Sequence, residues 1–568
     1  MANMISIRGS RAVLPAAAAL LGCMALAGCE SRTTVSATGN TAAQFTHVFL
    51  TVRQIWFNTS ATAGATDGSW VKFALATPAT VDLATLNDGT LSQIATELKL
   101  AAGTYAQVMV ILADSTDALS SSAQSAGAAS NDEVDYIDTS NVPHTAPLAV
   151  LNAAQGISIA TSLTVATSSS SSFGTSSSAA APSSTATSTT SVAATPSAII
   201  DFDASRDLVP LSLSGQPAFI LNPHPHSYVV SASGSIRGSV SLSGVSTLSG
   251  AGNPDVQVFA EALSSDGTRH VIVKTSRVGS DGTFTLYPLS TASGAPGTYD
   301  LVIHGPEIDT VIVKSVPVTH SGAGSTTAAL GTLTLTPASP FLVNINTASA
   351  AAPTSSLVGF YQTLPLSSEV PYLVEVRALD PTSGVFASAQ ELSNGTLQYG
   401  TYGAGTITLT SATATQGAAT YAVGAINPAY GTATLGTTVA APAQAATIAL
   451  FAMNAPPVPT GATANDIQGT ISVGSSGFDN AELFLTHGGA LIAAAPLSAY
   501  RGGSQGALSL SAIAPGGSAG TTYAAGVYNA EVWAWNSTNP TGTLTRIPYG
   551  STIDMSAGTA TGVALQIK

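Results

Sequence analysis

Cysteine is almost absent. The chain of 568 residues has two, Cys23 and Cys29. Nothing beyond residue 29 can therefore form a disulfide, supply a thiol nucleophile or bind a metal through sulfur. Charge is also scarce: Asp, Glu, Lys and Arg make up 8% of residues, against about 25% in an ordinary globular protein. The 16 Lys and Arg residues form no cluster, and the formal net charge is −14. A phosphate backbone should repel such a chain, which argues against nucleic acid as a partner. Anionic lipid surfaces are equally poor partners for the folded part. There is no HExxH pair, no Gly-x-Ser-x-Gly elbow and no P-loop. Eight His residues are too few to nominate a triad. The expectation is a non-enzymatic protein without a cofactor.

Ala, Ser, Thr and Gly take the place of the missing ions. Disordered chains combine low hydrophobicity with high charge, whereas 45% of these residues are hydrophobic. Material for cores is ample, and the surface must be polar through hydroxyls and amides. At about 100 to 200 residues per domain, three to five domains are expected.

The N-terminus has its own layout. Arg8 and Arg11 precede an uncharged, Ala- and Leu-rich stretch, Ala12 to Ala27. That is the pattern of a secretory signal, too short for a comfortable membrane span. It closes on Leu26-Ala27-Gly28-Cys29, which resembles the lipobox of bacterial lipoproteins. The resemblance implies cleavage after residue 28 and lipidation of Cys29. Removing residues 1–28 leaves 540 and, with Arg8 and Arg11 gone, a charge of −16. Glu30 follows the cysteine in place of the Asp that resembles an inner-membrane retention signal, so the expected location is the outer membrane, facing the periplasm or the cell surface.

The remainder reads as strands. Val48 to Phe57 is β-branched and aromatic, and Trp70 to Phe73 continues the sheet pattern. Leu86-Asn87-Asp88-Gly89 is a turn with Gly where positive φ is needed. Leu91 to Leu100 is read as one short helix, and Val108 to Leu112 as a strand. Residues 29–40 are read as a tether. Residues 41–230 form a first domain, with a Ser/Thr/Ala-rich insertion over 166–198 that cannot bury enough apolar surface to fold. Three further segments follow at 231–340, 341–456 and 457–568. The first and last share an outline, with Ile236 to Val240 and Ile467 to Ile471 opening them; the middle one matches less well.

Gly-x-Tyr before an alternating strand recurs at Tyr105, Tyr299 and Tyr528. The expected geometry is a tight turn at Gly and a Tyr packed under the sheet edge, its hydroxyl bonded to backbone as in the tyrosine corner of Greek-key sandwiches. Short strands with turns at this spacing argue for an all-β fold of serial β-sandwich domains, transthyretin-like or Ig-like, with a disordered insertion.

Two regions resemble known families. The order of Val48 to Trp56, Trp70, Asp82-Leu83, Leu86 to Gly89, Ala102 to Tyr105, Ile200 to Asp203, Asn222-Pro223 and Gly234 to Gly238 resembles a family of uncharacterised domains found just after the lipobox in many bacterial lipoproteins. The resemblance covers about residues 41 to 230 and implies location and architecture, with no catalytic residues. The second domain, through Gly238, Asp281 to Phe284 and Pro296 to Tyr299, looks like a transthyretin-like or carboxypeptidase-regulatory-like sandwich. That implies a structural spacer or a carbohydrate-binding fold.

A few residues are candidates for chemistry. The acidic run Asn131 to Asp138, with Asp132 and Asp135, could ligate Ca²⁺, although a solvated acidic loop is the better reading. Asp201 and Asp203 share a strand face, again read as exposed. His224 and His226 could share a metal that lacks its further ligands. Trp56, Trp70, Trp533 and Trp535 could stack on sugars, the last two from one strand face, with a core role preferred. The partners expected are a membrane, reached through the lipid, and a glycan or protein; the expected role is surface binding, adhesion or structural presentation, with a carbohydrate-handling accessory protein or a subunit of an extracellular assembly as alternatives. The domains are expected to stand as a rod above the membrane, with Lys568 at the far end.

Overall fold

The computed structural model describes residues 30–567 apart from 167–195, 247–253, 348–356, 379–389, 413–419, 449–466, 498–505, 511–526 and gaps of one to four residues. Strands dominate, arranged as serial β-sandwiches. The Ser/Thr-rich insertion lies almost wholly outside the described residues.

The first domain contains β1 (Glu30–Asn40), β2 (Phe45–Asn58), β3 (Val71–Asp82), β4 (Ser92–Ala101), β5 (Gly103–Leu112), helix α1 (Ser121–Ala126), β6 (Glu133–Ile137), β7 (Pro143–Val150), β8 (Ile157–Val165) and β9 (Ser197–Asp203). It ends with helix α2 (Ala204–Asp207), β10 (Leu208–Leu213), β11 (Gln216–Leu221) and β12 (His226–Val229). The second domain has β13 (Ser233–Ser241), β14 (Gln257–Leu263), β15 (His270–Arg277), β16 (Thr283–Ser290), β17 (Thr298–His304), β18 (Thr310–Pro317), a hairpin of β19 (His320–Ser321) and β20 (Gly324–Ser325), and β21 (Thr327–Thr334). The third has β22 (Pro340–Thr347), β23 (Leu357–Gln362), β24 (Tyr372–Ala378), β25 (Gln390–Ser393), β26 (Leu397–Thr401), β27 (Thr410–Ser411), β28 (Thr420–Asn427), β29 (Gly431–Thr432), β30 (Thr437–Ala440) and β31 (Gln444–Ile448). The fourth has β32 (Ile467–Val473), β33 (Asn480–His487), β34 (Ala490–Pro496), β35 (Gly506–Leu510), β36 (Val527–Trp535), β37 (Thr545–Pro548), β38 (Ile553–Asp554) and β39 (Ala560–Ile567).

One topology underlies all four. With seven strands lettered A to G, strand A pairs antiparallel with D and parallel with G, while the facing sheet runs C-B-E-F. In the second domain these sheets are β16-β13-β21 and β15-β14-β17-β18. In the third they are β25-β22-β31 and β24-β23-β28-β30. In the fourth they are β35-β32-β39 and β34-β33-β36-β37. The first domain repeats the scheme with β4-β1-β9 and β3-β2-β5-β8. It adds α1, β6 and β7 between E and F, and α2 and β10 to β12 after G. The middle segment, the weakest match by sequence, has the full pattern.

A tyrosine marks the start of strand E each time. Tyr105, Tyr299, Tyr421 and Tyr528 are all buried. Three donate their hydroxyl to the last carbonyl of strand D: Ala101 at 3.1 Å, Ser290 at 3.0 Å and Ser393 at 2.7 Å. The tie joins the two sheets where the chain crosses between them. Burial pushes the Tyr299 hydroxyl up to about 12.

Two readings need correction. Residues 30–40 are no tether: β1 is an inner strand between β4 and β9, with Val35 and Ala37 buried. Leu91 to Leu100 is not helical: β4 pairs with β1, and its alternation is broken at Glu97, which has φ of +60°. Helix-forming Ala, Glu, Leu and Lys were outweighed there by an open edge of β1 that needed a partner.

Candidate functional site

Cys29 and the preceding Leu26, Ala27 and Gly28 lie outside the described residues, as does His224. His226 is exposed on the edge strand β12, in register with Asp201. Among the described residues, no group of three or more His, Cys, Asp and Glu is arranged to hold a metal ion.

The acidic run is not a solvated loop at its start. Strand β2 changes partner along one edge, pairing β6 over Phe45 to Phe49 and β5 from Val52 onward. Asp132 fills the break. It is fully buried, and its Oδ1 accepts the Thr51 N–H at 3.0 Å. Burial pushes its carboxyl well above the usual range. Glu133 accepts the N–H groups of Ala129 and Ser130, both at 2.9 Å. Asp135, half-buried, accepts from the Thr145 hydroxyl at 2.6 Å. Each of these three carboxylates thus has a structural hydrogen bond.

Four joints link the domains, and Asp201 and Asp203 belong to one of them. At the joint of the first and second domains, Asp201 and Asp203 are buried, contrary to the reading as exposed. Lys274 Nζ reaches Asp201 Oδ1 at 2.6 Å, the side chains being 3% and 5% exposed. Thr275 Oγ1 donates to Asp203 Oδ2 at 2.9 Å, and Ser276 Oγ to the Asn87 carbonyl at 2.7 Å. The turn found in the sequence at Gly89 serves this joint. Its φ is +78°, and a Cβ there would lie 2.9 Å from Cβ of Tyr287.

The second and third domains share a sheet. β26 leaves the third domain to pair parallel with β18, the F edge of the second. Buried Asp309 fixes its start, accepting from Thr396 N at 2.8 Å and Gln398 Nε2 at 3.0 Å. Nearby, the His270 ring stacks on Tyr372 at 3.9 Å, and Tyr372 donates to Asp300 at 2.9 Å. Lys314 pairs with Glu369. Burial lowers the His270 pKa and pushes Glu375 up to about 7, even with Arg377 at 2.6 Å.

The fourth domain returns to the first. Trp533, Trp535 and Phe484 form one apolar cluster with Ala149, Val209, Leu213, Ala218 and Ile220. Trp535 Nε1 donates to Ser214 Oγ at 2.9 Å. Beside them the Arg546 side chain, 3% exposed, reaches Glu531 at 2.5 Å in its own domain and Asp114 at 2.6 Å in the first. It also donates to the Val150 carbonyl at 2.9 Å. The two tryptophans are therefore packed between domains and offer no open stacking platform in this arrangement. Trp70 is buried, and Lys72 Nζ sits 3.9 Å over the half-buried Trp56 ring. A continuous apolar cluster runs from Phe259, Val302 and Ile312 through the third domain into the fourth. The domains close into a circuit, so the expected rod, with Lys568 at its far end, is corrected. The sequence named the tryptophans but gave no sign of Arg546; a lone Arg on a short strand has no pattern to read.

Residues 31–223 match the model of a domain of unknown function, DUF4382. The match runs from the second residue of β1 to just beyond β11, which is nearly the whole first domain. No curated protein matches the chain. Among solved structures, the Bacillus anthracis TIE protein is similar at 8% identity, covering 95% of this chain and 73% of that one, with a TM-score of 0.14. A streptococcal ancillary pilin aligns at 10% identity over 59% of this chain and 99% of its own, with a TM-score of 0.12. The pilus adhesin SpaC from Lactobacillus rhamnosus GG aligns at 13% identity over 62% and 45%, with a TM-score of 0.10. Superpositions at these TM-scores carry no argument about role.

Proposed function

We propose that the protein is a non-enzymatic lipoprotein of the cell envelope, held at the outer membrane by Cys29, that presents a closed body of four sandwiches for binding or structural support. The observation that supports this most is the position of β1. It begins at Glu30, directly after the lipobox cysteine, and is built into the first sheet with Glu30 opposite Ala101. A lipid on Cys29 would then hold the first domain against the bilayer with no spacer. The turn between β4 and β5 would face the headgroups. Two acyl chains anchor a protein stably, and closure of the four domains makes the anchored unit compact.

Metabolic labelling with a clickable palmitate analogue tests the anchor. The wild-type chain should carry the label in the outer-membrane fraction, and Cys29→Ser should abolish it. Unchanged labelling of Cys29→Ser would refute the assignment. Protease treatment of intact and lysed cells then separates surface from periplasmic exposure.

The second reading is a carbohydrate-handling accessory protein, which rests on the sandwich topology and the tryptophan content. It requires Trp533 and Trp535 to leave the joint they occupy. A glycan array probed with the full chain would decide it, and no binding would sink it.

A further inference from the structure

The contact between the fourth and first domains has the chemistry of a docking interface. On the fourth-domain side stand two indoles, Phe484 and one arginine. On the first-domain side lies a floor of small and aliphatic residues, Ala149, Ala218, Val209 and Ile220, with Ser214 placed to receive the Trp535 N–H. The charges are matched. Arg546 enters a region where Asp114, Asp117 and Asp132 belong to the first domain and Glu531 to the fourth. Asp132 Oδ2 is buried there with no hydrogen-bond partner. The Asp114, Glu531 and Asp132 carboxylates favour the charged form of Arg546 against its burial, and the net result is a guanidinium pKa raised above its ordinary value. Removal of the arginine would leave like charges facing one another across an apolar joint.

Everything needed for this contact is present on both faces of each copy. We propose that the Trp533–Trp535–Arg546 face is an interaction surface whose partner is the Asp114–Val150–Ser214 face, made within one chain in the closed monomer and between two copies when that closure is released. The partner is a second copy because its first-domain face carries the acid, carbonyl and hydroxyl that Arg546 and Trp535 already meet within one chain. A reciprocal exchange buries both faces again and gives a closed two-fold dimer. The proposal does not rest on the membrane reading.

Charge complementation tests it. The full mature chain carrying Cys29→Ser is made as two variants, Arg546→Glu and Asp114→Lys. Each alone should stay monomeric, with a larger hydrodynamic radius and red-shifted tryptophan emission, because closure within the chain is now repulsive. Mixed in equal amounts, they should pair, one intact Arg546 meeting one intact Asp114, and the molar mass by light scattering should rise twofold. Arg546→Lys, which keeps the charge, should retain the compact monomer. Single variants with wild-type radius and emission would show that Arg546 does not hold the closure. A mixture that stays monomeric would show that the face is not open to a second copy. Should either reversal fail to fold, the wild-type chain refolded from urea serves instead. Dimers in concentrated but not dilute solution support the exchange, and monomers in both overturn it.

Discussion

Tyr105, Tyr299 and Tyr421 each close the D-to-E crossing of a sandwich by one hydroxyl on one carbonyl. Replacing Tyr299 by Phe keeps the ring and removes the donor, leaving the Ser290 carbonyl short of a partner. The expected loss is about 1–2 kcal/mol, read as a shift in the urea midpoint of the second domain, and an unchanged midpoint would contradict the tie. Buried acids give the chain a pH signature. Burial pushes the Glu375 carboxyl up to about 7, from an ordinary value of 4.5. The unfolded chain ionises first, so stability from this group is full below about pH 4.5 and is lost as pH rises toward 7. Glu261 and Asp132, raised for the same reason, add to the trend. Buried His304, lowered to about 3, acts oppositely below pH 6.5. The thermal midpoint should therefore fall between pH 6 and pH 8, and Glu375→Gln should flatten that slope; an equal slope in both proteins would refute the assignment. Little of this was legible beforehand. Gly-x-Tyr pointed to Tyr105 and Tyr299, but Tyr421 has Ala419 in place of the glycine. Asp132, Asp201 and Asp203 read as exposed because carboxylates usually are; their partners, Thr51, Lys274 and Thr275, are about 70 to 80 residues away.

At the level of single elements, strand alternation gave β2, β5, β17, β32 and β36 directly. Each is a B, E or A strand with buried neighbours on both sides. Three elements failed: the inner strand β1, taken for a tether, the edge strand β4, and β26. β4 carries helix-forming residues, and its periodicity slips by one at Glu97. A residue in left-handed backbone without a glycine is strained. Glu97→Gly should raise the melting temperature of the first domain, by about 0.5–1 kcal/mol of stability, since the exposed pair with Arg32 that it removes contributes little. A lower melting temperature would show that the bulge is held by the side chain. β26 was unreadable for another reason: its partner β18 belongs to a different domain, and a strand lent across a boundary has no local signature.

For the molecule as a whole, repetition was half visible and closure was not. Three segments shared an outline in sequence, whereas four share a topology in space, the first disguised by its insertions. Closure depends on few residues, chiefly Trp533, Trp535 and Arg546 against the first domain, and lone residues at long range leave no pattern. It changes what the proposed lipid on Cys29 would hold, from the base of a rod to a compact unit. The measurement that tests this most directly is the radius of gyration of residues 29–568 with Cys29→Ser, by small-angle X-ray scattering. A compact chain of this length has a value of about 24 Å, and the closed circuit predicts a result near it. A value approaching twice that, with the scattering profile of a rod, would contradict the closed arrangement.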